Sequence, residues 1–369
     1  MSSTTIVNFS RNRRQELQAL VEAAIRQRIF PGMELLVAKG EEVLLHEVWG
    51  NIEAGPEAAR LGRNTLFDIA SMTKPIATAI SMMVLIEKGT LALEDKVRDF
   101  IPEFEHPEKD GIALRHLLTH TSGLPDWADL FSNTESQQDA LQKLLAIPLQ
   151  YPTGTAIVYS DLGFLLLGEI IRRVSGQSLG EFFYQNVSHP LQMARTAFNP
   201  LLMGWDLPIA PTLYCTMRQQ LLRGIVHDEN CFRFGGEGGN AGLFSTAGDV
   251  HRFCRMILGE GELEGVRVLT ARTVDMMTAN HNPRKLAPRG MGWDMKGEGF
   301  GYMSCGELMA VGSIGHTGFT GTSFWIERKS GLTVILLTNR VNIARDKNQP
   351  DMMSFRPRLH NLVVSLVDG

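Results

Sequence analysis

The chain has 369 residues, 44% of them hydrophobic and 21% charged, and a formal net charge of -4. That length buries a substantial core, and the balance is that of a folded globular protein, which excludes a disordered chain. The mild acidity gives no electrostatic reason to expect nucleic acid or an anionic membrane as partner.

The N-terminal stretch carries Arg11, Arg13 and Arg14 with no apolar run behind them. It lacks the pattern of a secretory signal, and no later segment is long and apolar enough to span a bilayer, so a cytoplasmic location is expected. From Leu17 to Ile29, the residues Leu17, Leu20, Val21, Ala24 and Ile25 share one face, which predicts an amphipathic helix ended by Pro31-Gly32. Met33 to Lys39 and Val43 to Trp49 read as a hairpin around Gly40-Glu41-Glu42. Met72 to Lys88 is almost wholly apolar and predicts a buried helix closed by Gly89. Leu114 to Leu118, Ser136 to Ala146 and Leu162 to Val174 are further helical patterns. Thr246, with Asp249 three residues on, resembles a capping box for a helix running to Leu258. Gly235-Gly236-Glu237-Gly238-Gly239 is a loop. Glu307 to Val311, Thr322 to Glu327 and Leu332 to Thr338 are β-type runs, and Phe355 to Val367 is again amphipathic.

Strands from both ends of the chain around a helical middle predict an α+β fold. Its parts are a five-stranded antiparallel sheet flanked by terminal helices, from about residues 1–78 and 206–369, and an all-helical lobe of about residues 79–205. Cys215, Cys231, Cys254 and Cys305 show no CxxC pair and no histidine at ligand spacing, so four mostly buried thiols are expected.

The chemistry centres on Ser71-Met72-Thr73-Lys74. At i and i+3 on a first helical turn, the hydroxyl and the amine share a face and can touch. Serine is a weak nucleophile without a neighbouring base, and a lysine desolvated by an apolar helix gives up its proton more easily. The start of a helix adds positive potential and a backbone N–H for a developing oxyanion. Alone, such a tetrapeptide is common by chance. Two further elements follow it in order: Tyr159-Ser160-Asp161 at the start of a helix, and His316-Thr317-Gly318 after the run Glu307 to Val311.

Together these resemble the serine β-lactamase and penicillin-binding-protein superfamily, in the branch of class C β-lactamases, DD-peptidases and family VIII esterases. Leu66-Phe67-Asp68-Ile69-Ala70, Leu117 to Leu124, Ala241 to Ala247 and Gly318 to Thr322 also look like hallmarks of that family, which extends the resemblance over most of the chain. The resemblance implies a β-lactamase/transpeptidase-like fold in one catalytic domain over 1–369, with the cleft between the lobes. It implies Ser71 as the nucleophile, Lys74 and Tyr159 as the proton relay, and the backbone N–H groups of Ser71 and Phe319 as the oxyanion hole. It implies Asp161, His316, Thr317 and Gly318 as substrate-binding residues. Gly318 is expected to be small so that a substrate can lie along the strand edge. No cofactor and no metal are implied, and the partner is a small ester, amide or β-lactam substrate.

Two positions depart from the family pattern. Asp161 stands where most members carry asparagine, and a carboxylate there is expected to raise the Lys74 pKa and make activity more alkaline. It could instead pair with His316. His316 replaces a lysine that anchors substrate carboxylates, and a mostly neutral imidazole anchors them less well. A carboxylesterase is therefore the leading expectation, with a D-alanyl-D-alanine carboxypeptidase or β-lactamase as alternative and a non-catalytic sensor as a third class. His116 and His120 have metal-pair spacing but are expected to be structural. His227 is read first as a loop cap and second as a residue bordering the pocket, and Asn240 is a candidate to face the cleft.

Overall fold

The protein is described here by a computed structural model covering residues 11–299, 303–345 and 347–368. Its principal sheet has six strands, β1 (Gly32–Lys39), β2 (Glu42–Gly50), β3 (Asp294–Met295), β4 (Ile314–Thr317), β5 (Ser323–Glu327) and β6 (Leu332–Thr338), in the antiparallel order β3-β4-β5-β6-β1-β2. The join between the chain ends is the long β1–β6 ladder, with Met33 opposite Thr338 and Lys39 opposite Leu332.

Strand alternation sorts the side chains onto two faces. Met33, Leu35 and Val37 of β1, Trp325 of β5 and Val334 and Leu336 of β6 enter one cluster. There they meet Leu17 and Val21 of α1 (Arg11–Arg26) and Phe355, Leu359 and Val363 of the C-terminal helix (Gln349–Val367). Leu36, Ala38, Phe324, Ile326, Ile335 and Leu337 point the other way, into a core shared with the helical middle of the chain. The terminal helices therefore cover the sheet as the sequence implied, although the last one starts at Gln349 rather than Phe355.

Three expectations need correcting. Glu307 to Val311 is not a strand: Lys296 Nζ donates to the carbonyls of Gly306, Glu307 and Met309 at 3.0, 2.5 and 2.5 Å, and Asn361 Oδ1 takes the N–H groups of Glu307 and Leu308. Backbone groups so engaged are not available to a ladder. The strand is β4, so His316 and Thr317 lie in it rather than after it, and β3 brings the sheet to six. The helix expected from Met72 begins instead as a 3-10 turn (Ala70–Met72) and a wider π-wound segment (Lys74–Ala79) before α2 (Ile80–Glu87).

The glycine-rich loop packs directly on α3 (Asp161–Ser175): a Cβ on Gly239 would lie 1.9 Å from the Phe164 carbonyl oxygen and 3.0 Å from Gly168 N. Gly239→Ala should therefore cost about 3 kcal/mol or more, as for overpacking against backbone that cannot yield. A lowered unfolding midpoint in urea is the measurement that checks it. The four cysteines are buried thiols, and no helix among the described residues is long and apolar enough to cross a membrane.

Candidate active site

The segment before Ser71 is tied down from several sides. Phe67 and Asp68 pair with Ser245 and Phe244 in a short ladder. The buried Asp68 carboxylate accepts the N–H of Ala70 at 2.9 Å and of His227 at 2.7 Å, while Thr320 Oγ1 donates to the Asp68 carbonyl at 2.8 Å. Burial pushes the Asp68 carboxyl up to about 6 against the pull of those N–H groups. Ala70 has φ 47°, a left-handed conformation that disfavours any residue with a Cβ. Thr73 Oγ1 holds it there by donating to the Ala70 carbonyl at 2.6 Å. The strained turn presents Ser71 to a cleft of about 470 Å³.

Lys74 is wholly buried, yet it makes three bonds: Nζ donates to Ser71 Oγ at 2.9 Å, Asp161 Oδ1 at 2.6 Å and the Asn240 carbonyl at 2.9 Å. Burial alone would depress its pKa, but the Asp161 carboxylate and the Tyr159 hydroxyl outweigh burial and hold it above the ordinary lysine value. Asp161 thus pairs with Lys74 and not with His316, and the resting lysine is an ammonium.

Tyr159 is placed by its neighbours. Val158 N donates to the His120 carbonyl at 3.1 Å and Ser160 N to His120 Nδ1 at 2.9 Å, which brings the His120 ring 4.6 Å from that of Tyr159. Lys74 Nζ and the Arg289 guanidinium lie 4.8 and 5.6 Å from the Tyr159 ring centre. Burial raises the pKa of the Tyr159 hydroxyl, so it is a phenol at neutral pH. His120 has φ 58° and lies beyond the short helix Leu114–Leu118, so it cannot share a helical face with His116. Each uses Nδ1 as an acceptor for a backbone N–H, His116 from Ala113 and His120 from Ser160.

His316 is buried behind the lining of the cleft, its ring 5.9 Å from that of Tyr159; Nδ1 donates to the Thr317 carbonyl at 2.7 Å, and burial brings the ring down to about 4, so it is neutral. Thr317, Gly318 and Phe319 border the same cleft as Ser71. The smallness of Gly318 has a different cause from the one expected: a Cβ there would lie 2.2 Å from Thr322 Oγ1 and 2.6 Å from the Ile69 carbonyl oxygen, inside the protein. Asn240 reaches the site through its carbonyl, and its side chain donates to Asp228 Oδ1 at 3.2 Å.

His227 does not cap a loop. The cap is Asp228, whose Oδ1 accepts Cys231 N at 2.6 Å at the head of the helix Glu229–Arg233. His227 instead lines the cleft beside Asp228 and stacks on Phe319 at 5.5 Å. Sequence reasoning did not single out Asp68 or Asp228. The signal available was the position of Asp68 inside the stretch Leu66 to Ala70 and of Asp228 next to His227.

The family model described as Beta-lactamase matches residues 17–352. A protein of Escherichia coli K12, provisionally named a D-alanyl-D-alanine carboxypeptidase, is 31% identical over 363 residues, covering 88% of this chain and 82% of that one. The structure of an octameric penicillin-binding protein homologue from Pyrococcus abyssi superposes with a TM-score of 0.74 at 20% identity, covering 96% of this chain and 77% of that one. EstCE1, a hydrolase with promiscuous acyltransferase activity, gives a TM-score of 0.72 at 19% identity, covering 94% of this chain and 98% of that one. The two superpositions show a shared β-lactamase/transpeptidase-like fold. With a family match along nearly the whole chain and a curated relative as similar as this, the chain belongs to the beta-lactamase family and is a serine hydrolase.

Proposed function

We propose that the chain hydrolyses small carboxylic esters through an acyl-enzyme on Ser71. The observation that carries this reading is the 2.9 Å bond between Ser71 Oγ and the buried Lys74 Nζ at the wall of the cleft. In the proposed reaction Ser71 Oγ bonds to the carbonyl carbon and its proton passes into the Lys74–Tyr159 pair. The backbone N–H groups of Ser71 and Phe319 hold the oxyanion. The bond from carbonyl carbon to leaving oxygen breaks, and the pair protonates the departing alcohol. Water then attacks the ester on Ser71, the acid leaves, and Ser71 regains its proton. Thr317 and Gly318 line the substrate, with Asp161 at its side and His316 behind the lining, in a cleft between a lobe of about residues 79–205 and the rest of the chain.

Esters are favoured over anionic peptides by charge. His316 is neutral, and the arginines bordering the cleft already serve the protein. Arg356 Nη2 donates to the carbonyls of Gly318 and Thr322, both at 2.9 Å, and Arg345 pairs with Glu229. The second reading, hydrolysis of D-alanyl peptides or β-lactams, is favoured by the provisional name of the Escherichia coli relative.

A fluorophosphonate followed by peptide mass spectrometry tests the acyl-enzyme, and initial rates on a p-nitrophenyl ester, nitrocefin and a D-Ala-D-Ala peptide rank the substrates. The expected result is an adduct on the Ser71 peptide, with the ester turned over fastest. An unlabelled Ser71 would overturn the reading, and turnover confined to nitrocefin or the peptide would move it to the second one.

A further inference from the structure

Asp68 is 2% exposed, and its two carboxylate oxygens serve two different stretches of backbone. Oδ1 takes the N–H of Ala70 at 2.9 Å, and Oδ2 takes that of His227 at 2.7 Å. The Asp68 carbonyl takes the Thr320 hydroxyl at 2.8 Å, and the neighbouring Ile69 carbonyl takes that of Thr322 at 3.2 Å. The turn from Gly318 to Thr322 is thus strapped to the two residues that lead into Ala70 and Ser71.

These bonds converge on the two N–H groups assigned above to the oxyanion. Ala70, held at φ 47°, aims the Ser71 N–H, because the peptide that joins the two residues is one rigid plane. Thr320 directly follows Phe319. His227 is gripped at both of its backbone groups, the N–H by Asp68 and the carbonyl by Arg218 Nη2 at 2.8 Å. Its ring stacks on that of Phe319, with centres 5.5 Å apart and planes inclined by 30°.

An ionised carboxylate suits this place because it offers an acceptor on each oxygen, whereas asparagine would turn an amide donor towards one of the two N–H groups. A charged acceptor also holds an N–H more strongly than a neutral one. Burial and the charge of Asp228 oppose ionisation of Asp68, while the N–H groups of His227 and Ala70 and the charge of Arg218 favour it. With the carboxyl at about 6, the ionised form prevails at neutral pH.

We infer that Asp68 is a positioning residue for the oxyanion hole: by joining Ala70, His227 and Thr320 it fixes the separation of the Ser71 and Phe319 N–H groups. This rests on the acyl-enzyme reading and adds to it a residue that acts through the backbone of others.

The test is Asp68→Asn, which keeps the size of the side chain and removes one of its two acceptors. Steady-state constants on p-nitrophenyl acetate and the rate constant for fluorophosphonate labelling of Ser71 are measured at neutral pH. Urea unfolding supplies the folded fraction, and a purely structural role changes kcat and the labelling rate only in proportion to it. Per folded protein, kcat should fall about 100-fold with KM within about threefold, the scale for a misplaced oxyanion donor. The labelling rate constant should fall with kcat. Values of both within about threefold of the wild type, per folded protein, overturn the inference.

Should Asp68→Asn not fold, Thr320→Val carries the test, since it deletes the hydroxyl bond to the Asp68 carbonyl in a side chain of similar shape. Its labelling rate should fall about fivefold or more, the equivalent of one neutral hydrogen bond, and a change below about twofold overturns the inference. If the wild type turns over no ester and its Ser71 stays unlabelled, the acyl-enzyme reading itself has failed. If the wild type is labelled and the variants react as it does, the positioning role alone has failed.

Discussion

Lys74→Met will lower kcat for a p-nitrophenyl ester by about ten-thousand-fold, the scale seen when one member of a coupled nucleophile–base unit is removed. Methionine fills much of the same volume but can neither take the Ser71 proton nor return it to a leaving group. The change also removes the donor to Ser71 Oγ, Asp161 Oδ1 and the Asn240 carbonyl. Asp161 would then face an apolar side chain, and deleting one partner of a buried pair costs about 3–5 kcal/mol. Asp161 keeps 21% of its side chain exposed, so the lower end of that range or somewhat less is expected. Steady-state kinetics and urea unfolding check the two halves separately. Retention of more than about a tenth of wild-type kcat would remove Lys74 from the proposed chemistry.

Asp161→Asn will move the rise of kcat/KM to lower pH. In the wild type Lys74 is held above its ordinary value and Tyr159 is raised as well, so both carry protons at pH 7. The form able to accept the Ser71 proton has one proton fewer on that pair, and its population grows about tenfold per pH unit until the pair titrates. Removing the carboxylate removes the largest influence that raises Lys74 and leaves the burial that lowers it. It also removes one of the influences raising Tyr159. Both effects have the same sign. A shift of at least about one unit, with a matching gain in rate at neutral pH, is expected from the loss of an opposite charge at contact distance. Profiles from pH 5 to 10 on a neutral ester show it. His316, brought down to about 4, titrates below this range, while the buried Asp228 and Asp68 carboxyls, each raised to about 6, titrate at its acid end, so the shift is read above pH 7. Coincident profiles would show that Asp161 does not set the protonation of Lys74.

Much was decided by local sequence. Ser71 and Lys74 lie three residues apart, so their contact survives even though the turn is 3-10 and the following segment π-wound rather than a regular helix. The apolar runs that became β1, β5 and β6 and the stripe of α1 marked what was to be buried, because a side chain's direction along a strand or helix depends only on its neighbours in the chain. The order of the three motifs was enough to identify the family. Other features depended on partners distant in sequence. Glu307 to Val311 has the composition of a strand, but Lys296 and Asn361 bind its backbone, and β4 takes the ladder position instead. The charge state of Lys74 follows from a carboxylate 87 residues away, whose electrostatic effect depends on a 2.6 Å separation. His227 and Asp228 read as ordinary loop residues until the Asp68 carboxylate anchored the His227 backbone at the cleft wall. Periodicity and motif chemistry act over a few residues, whereas desolvation and charge pairing act over a few ångströms, and only the folded chain converts one distance into the other.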